Sequence, residues 1–117
     1  MSTFGHILKE KRRAAGLSQR QLAERVGVDF SYISKLENDR LQPPAADTVV
    51  RIAECVNCPT EELLAAARKM PAGLNDSLIN EPTALRFLQE ASRMRLTQEE
   101  WQRLLGELHG LREEEGA

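Results

Sequence analysis

Gly27 sets the tightest limit on what this chain can fold into. Two short helical segments lie between Gln19 and Asn38, and Gly27-Val28 is all that joins them. Ser18 with Gln21 three residues later makes a capping box at the start of the first segment, and Asp29 stands at the start of the second. A joint this short forces one helix across the other. Ala23 is small where they approach, Gly27 can take positive φ at the turn, and Leu22, Val26, Val28, Ile33 and Leu36 fill the wedge between them. Phe30, Ser31, Tyr32, Ser34 and Lys35 are left facing outward on the second helix. A helix fits the B-DNA major groove, where its exposed N-terminal residues meet base edges.

The surroundings of this pair are helical as well. No stretch alternates apolar and polar residues long enough for a strand, whereas apolar residues recur at three and four throughout. The spacing predicts helices near 3–15, 18–25, 29–37, 47–56 and 60–68, with Asp47 as a further N-cap, Thr60 following Pro59, and Gly16 and Gly27 as stops. One core follows, built from Phe4, Leu8, Leu17, Leu22, Val26, Ile33, Leu36, Val49, Ile52, Val56 and Leu63. Only five of the 117 residues are aromatic, so that core is aliphatic.

A net charge of −2 argues against a nucleic-acid ligand until it is divided along the chain. Residues 1–40 hold eight basic and five acidic residues, a surplus of +3. Residues 41–70 come to −1, and residues 71–117, with five basic and nine acidic residues, to −4. Between the two ends, Met70 to Pro82 carries Pro, Gly, Asn and Asp without helical periodicity and reads as a connector. The expected organisation is a domain over 1–69, a linker over 70–82 and a second helical region over 83–117. No apolar run approaches the length of a membrane span, and the first residues lack an apolar signal region, so a cytoplasmic protein without a membrane partner is expected.

The stretch Leu17 to Val28 followed by Tyr32-Ile33-Ser34-Lys35-Leu36-Glu37-Asn38 resembles the XRE-type helix-turn-helix regulators, the family of the phage Cro and repressor proteins. The likeness runs over roughly residues 4–66. It implies an all-α chain, a five-helix lambda-repressor-like DNA-binding domain followed here by a C-terminal helical hairpin. It also implies a transcriptional regulator, a repressor in the first reading, that binds a two-fold-symmetric operator on double-stranded DNA as a homodimer. Carried over position by position, Gln19 looks like the residue that meets a DNA phosphate. Phe30, Ser31, Tyr32 and Lys35 fall where the family reads bases, and Asn38 and Arg40 look like backbone contacts. Arg12 and Glu37 match a pair that forms a salt bridge in the family. Lys11 departs from the pattern, replacing an apolar residue, which implies a less buried first helix or a lysine that snorkels outward. Phe30 and Tyr32 replace residues that hydrogen-bond bases, and an aromatic cannot make the bidentate amide-to-adenine contact.

Other features carry plainer readings. Phe30, three residues before Ile33, also suits a partly buried packing role. Arg20 and Arg25 read as solvated surface charges. Cys55 and Cys58 have the spacing of half a metal site, but His6 and His109 lie at no ligand spacing to them. They read as buried, inert thiols at the end of the fourth helix, with redox sensing as the minor alternative. No metal and no cofactor is expected. No nucleophile triad, phosphate loop or carboxylate pair is visible, so no enzyme is expected either.

The tail resembles nothing specific and is read from its physics. Leu85, Leu88 and Ala91 mark a helix from Pro82, a residue suited to a first turn. Thr97 and Glu100 form a second capping box, with Leu96 and Trp101 at the positions of a hydrophobic staple. Trp101, Leu104, Leu105, Leu108 and Leu111 then form one stripe. About 30 residues of helical hairpin bury too little surface to stand alone. Leu88 and the stripe are therefore expected to dock on a second copy of the chain, with docking on the same chain or on another protein as the alternatives. The last of these is an antitoxin-type reading, in which the tail binds a partner protein and the head regulates its own operon. Glu113 to Glu115 read as a solvated helix end.

Overall fold

In the computed structural model, which describes residues 3–116 and side chains as far as Glu113, the chain divides after Leu74 into two units. Helices make up the regular structure of the described residues. The first unit holds α1 (Phe4–Ala14), α2 (Gln19–Val26), α3 (Phe30–Glu37), α4 (Ala46–Cys55) and α5 (Thr60–Ala67). A single-turn α6 (Leu74–Leu78) lies within the stretch read as a connector. The second unit holds α7 (Pro82–Met94) and α8 (Gln98–Gly116).

Local signals account for most of the boundaries. Thr3 caps α1 by accepting from the His6 N–H. Gly16, at φ +74°, ends that helix, with the Leu17 N–H returning to the Arg12 carbonyl. The Ser18–Gln21 capping box is reciprocal, each side chain satisfying the other's backbone N–H. Gly27 closes α2 at φ +86°, a conformation that costs a residue with a Cβ. Asp29 occupies the N-cap of α3 without a side-chain bond to the helix. The N-cap expected at Asp47 is corrected. Ala45 holds that position, and Asp47 lies inside the first turn, where Oδ1 accepts from Thr48 and the charge favours the helix N-terminus.

The first-unit helices close on one core, with α1 packed on α3 and α5, α2 on α3 and α4, and α4 on α5. All eleven expected core residues are buried in it, and Ala23, Ala53, Cys58, Leu64 and Ala67 join them. Lys11 stays partly exposed and reaches across to α5, its Nζ 2.7 Å from Glu62 Oε1. Cys58 is buried and Cys55 half-buried. Burial pushes the Cys58 thiol up, and Sγ donates to the Pro59 carbonyl, so the unreactive thiol form is favoured.

In the second unit, Pro82 stands in the first turn of α7, and Thr97 and Glu100 form the expected capping box at the start of α8. Ala91 is buried, and with Phe87, Met94, Leu96 and Leu104 it lines a groove. The five apolar residues expected as a stripe on α8 share one face about 120° wide. Within it Leu104 is half-buried in the groove beside α7, whereas Trp101, Leu105, Leu108 and Leu111 are exposed. Leu85 and Leu88 are exposed as well. The side chains of Glu114 and Glu115 lie outside those described.

Candidate nucleic-acid interface

The crossing of α2 and α3 is fixed by one buried polar cluster. Arg12 on α1 meets Glu37 at the end of α3 through two bonds, Nε to Oε2 at 2.6 Å and Nη2 to Oε1 at 2.9 Å. Its third nitrogen, Nη1, donates to the Leu17 carbonyl at 2.8 Å, in the loop before α2. Gln19, the first residue of α2, completes the cluster by donating Nε2 to Glu37 Oε1 at 2.9 Å. Little of either charged side chain reaches solvent, 9% for Arg12 and 1% for Glu37. The bond to Glu37 raises the guanidinium further above its ordinary range. Three helices and a loop are therefore held by a charge pair with its donors and acceptors occupied, the condition under which burying charge is tolerated.

From this frame α3 presents its residues unevenly. Phe30, Ser31 and Lys35 are exposed. Tyr32 and Ser34 do not face outward as expected and are corrected. Tyr32 is half-buried and packs against the core, and Ser34 is half-buried with its carbonyl accepting from Asn38 Nδ2 at 2.9 Å. A helix in a wedge has room for only a narrow outer face, and an aromatic at its edge gains by lying down on the core. Asn38 and Arg40 are exposed beyond the helix end.

Arg20 was missed by the reading of the sequence. Its guanidinium carbon lies 4.5 Å from the centroid of the Phe30 ring. Lys9 and Arg13 of α1 line the same shallow hollow, together with Ser18 and Gln19, and no carboxylate side chain is among its lining residues. No single window shows this convergence, since the four cations of the lining come from two helices, Arg12 among them already paired with Glu37. Two short crossed helices with polar residues on the outer face of the second and cations at the start of the first describe one motif. Residues 8–63 match the family model described as Helix-turn-helix. These residues belong to the helix-turn-helix family.

Named relatives agree with the helix-turn-helix assignment. An uncharacterized HTH-type transcriptional regulator of Bacillus subtilis, RghRB, is 40% identical over 72 residues, which is 62% of this chain and 52% of that protein. The chain spans about half the length of the curated relatives it matches. Among solved structures, SinR, a master regulator for biofilm formation in complex with DNA, is 27% identical, with a TM-score of 0.50 over 53% of this chain and 98% of that one. A chain of the SinR/SinI protein complex covers 95% of this chain and 99% of its own length at a TM-score of 0.52 and 18% identity, a likeness of fold. Among the described residues, no group of three or more His, Cys, Asp or Glu could hold a metal ion, and no helix is long and apolar enough to cross a membrane.

Proposed function

We propose that this chain is a sequence-specific DNA-binding transcriptional regulator that represses by occupying a two-fold-symmetric operator as a homodimer. The observation that carries the reading is the exposed N-terminal face of α3, held by the Arg12–Glu37–Gln19 cluster. In this assignment the exposed Ser31 and Lys35 meet the major groove. Lys35 is the stronger of the two, because an ammonium donates to guanine acceptors there. Gln19, Asn38 and Arg40 meet the backbone. Gln19 does so with one amide hydrogen already given to Glu37 and the other left for a phosphate.

Dimerisation is proposed through Leu88, Leu104, Trp101, Leu105, Leu108 and Leu111. The exposure of Trp101 and the three last-named leucines supports it, since such a contiguous apolar face marks an interface. Two-fold symmetry would present two recognition helices about 34 Å apart, one turn of DNA. A surplus of only +3 over residues 1–40 makes few phosphate contacts per subunit, so paired binding supplies the remaining affinity.

Selection of bound sites from random duplex DNA at fixed salt tests the reading. Enrichment of an inverted repeat is the expected result. Absence of any enrichment overturns it and favours a tail that serves a different protein.

A further inference from the structure

We infer that Phe30 is a platform rather than a reader of bases, and that it aims the Arg20 guanidinium at the DNA backbone. The inference rests on the DNA-binding reading above. Arg20 is the second residue of α2 and Phe30 the first of α3, so their stack at 4.5 Å ties together the starts of the two helices of the motif. A guanidinium lying on a ring face keeps its N–H donors in its own plane, clear of the ring and free for a bidentate contact with a phosphate. Stacking also restricts a long side chain before DNA arrives, so less freedom is lost on binding.

The surroundings favour an anion over a base. Lys9, Arg12 and Arg13 line the hollow beside Arg20; Arg12 is paired with Glu37, and among the described residues no carboxylate forms an ion pair with Lys9, Arg13 or Arg20. In this motif the helix that carries Arg20 is the one that crosses the backbone. Phe30, 40% exposed and without a hydrogen-bonding group, has little to offer a base edge beyond a thymine methyl. Its ring face is already covered by the cation. Arg20 is thus assigned as a phosphate-contacting residue and Phe30 as its positioning residue.

A double-mutant cycle on the full chain tests the pair, using a random-sequence duplex and the site enriched from random DNA as probes, over a range of salt. Arg20→Ala should lower the slope of log affinity against log salt by about 1 and weaken both DNAs by about the same factor. Phe30→Ala and Phe30→Leu should each weaken binding about two- to fivefold, the scale of an exposed cation–π contact, while Phe30→Trp retains it. On the Arg20→Ala background, Phe30→Ala should cost nothing further. Unchanged affinity and slope in Arg20→Ala overturn the assignment, as does wild-type binding by Phe30→Leu, because bulk alone would then suffice. Equal losses from Phe30→Ala with and without Arg20 overturn it in favour of direct contact by the ring. Failure of the unaltered chain to bind either probe removes the DNA-binding reading itself, a result distinct from all of these.

Discussion

Asp39 caps the first helix of the chain from beyond the end of the third. Its Oδ1 accepts from the Gly5 N–H at 3.2 Å, and its Oδ2 accepts from the Thr3 hydroxyl at 2.8 Å. Its own backbone sits at φ +58°, in the left-handed region. Gly5 is buried so close to α3 that a Cβ there would run into the carbonyl oxygens of Leu36 and Glu37. The two positions form one joint. Absence of a side chain at Gly5 lets α1 approach the end of α3, and the Asp39 carboxylate satisfies a free N–H of the first turn of α1 where the helix dipole favours negative charge.

Gly5→Ala should destabilise the first unit by about 1–3 kcal/mol, the range for forcing extra volume into a packed site. Asp39→Ala should cost about 1 kcal/mol through loss of the cap. Asp39→Gly should cost less, because relief of the left-handed backbone offsets part of that loss. Urea unfolding monitored by circular dichroism measures all three. A Gly5→Ala variant as stable as the parent would show that α1 can back away from α3 freely.

Glu37→Ala leaves the Arg12 guanidinium buried without its partner and should cost about 3–5 kcal/mol. Replacing both residues by apolar ones of similar volume, Arg12→Met with Glu37→Leu, should cost far less than the sum of the single changes. The same unfolding experiment in a double-mutant cycle reads the coupling. Additive losses would mean that the pair contributes nothing as a pair.

The burial of Leu8, Leu22, Ile33, Leu36, Val49 and Ile52 was legible because helical periodicity and glycine stops act within a few residues of sequence. What escaped depends on residues that meet only after folding. Arg20 and Phe30 are ten positions apart on crossing helices, and nothing local distinguishes Arg20 from a solvated cation. Asp39 escaped because left-handed backbone is the ordinary signature of Gly, so an Asp there gave no signal. Arg12 and Glu37 came from the family resemblance alone, since 25 positions separate them. Asp47 misled because an acidic residue suits both the N-cap and the first turn. On α8, periodicity grouped five apolar residues correctly but could not say which one α7 would cover.

Lys35→Ala should weaken binding to the enriched site and flatten preference among bases, with a smaller loss on random DNA. Gln19→Ala should weaken both DNAs about equally, and through its bond to Glu37 it should also lower the melting temperature of the free protein. Side-by-side titrations of the two probes at one salt concentration check this. The same loss from both variants on both DNAs would argue against a base-reading role for Lys35.

The cap of α8 should respond to acid. The Thr97 backbone N–H, then its side chain, hold the Glu100 carboxyl below the ordinary carboxylate range. A lowered value in the folded state means that the stabilisation is present above the ordinary pKa of about 4.3 and is lost as pH falls through the folded value. Helicity of the full chain should therefore fall at acid pH partly through this group. Glu100→Gln, whose amide oxygen can still accept from Thr97, should remove that part. Identical acid titrations for parent and variant would exclude the contribution.

The proposed dimer makes the sharpest demand on α8. Trp101, Leu105, Leu108 and Leu111 are each 41–59% exposed, and charge placed among them has to be desolvated if a second copy covers the face. Leu105→Asp with Leu108→Asp in the full chain should give a monomer in sedimentation equilibrium. Neither side chain belongs to the core of the first unit, so that unit's thermal unfolding should be retained. The monomer should bind an inverted-repeat site at least tenfold more weakly, because the second half-site is no longer held at high effective concentration. Binding to an isolated half-site should be almost unchanged. A parent chain that is already monomeric at micromolar concentration, or a variant that stays dimeric, would move the symmetry axis away from this hairpin.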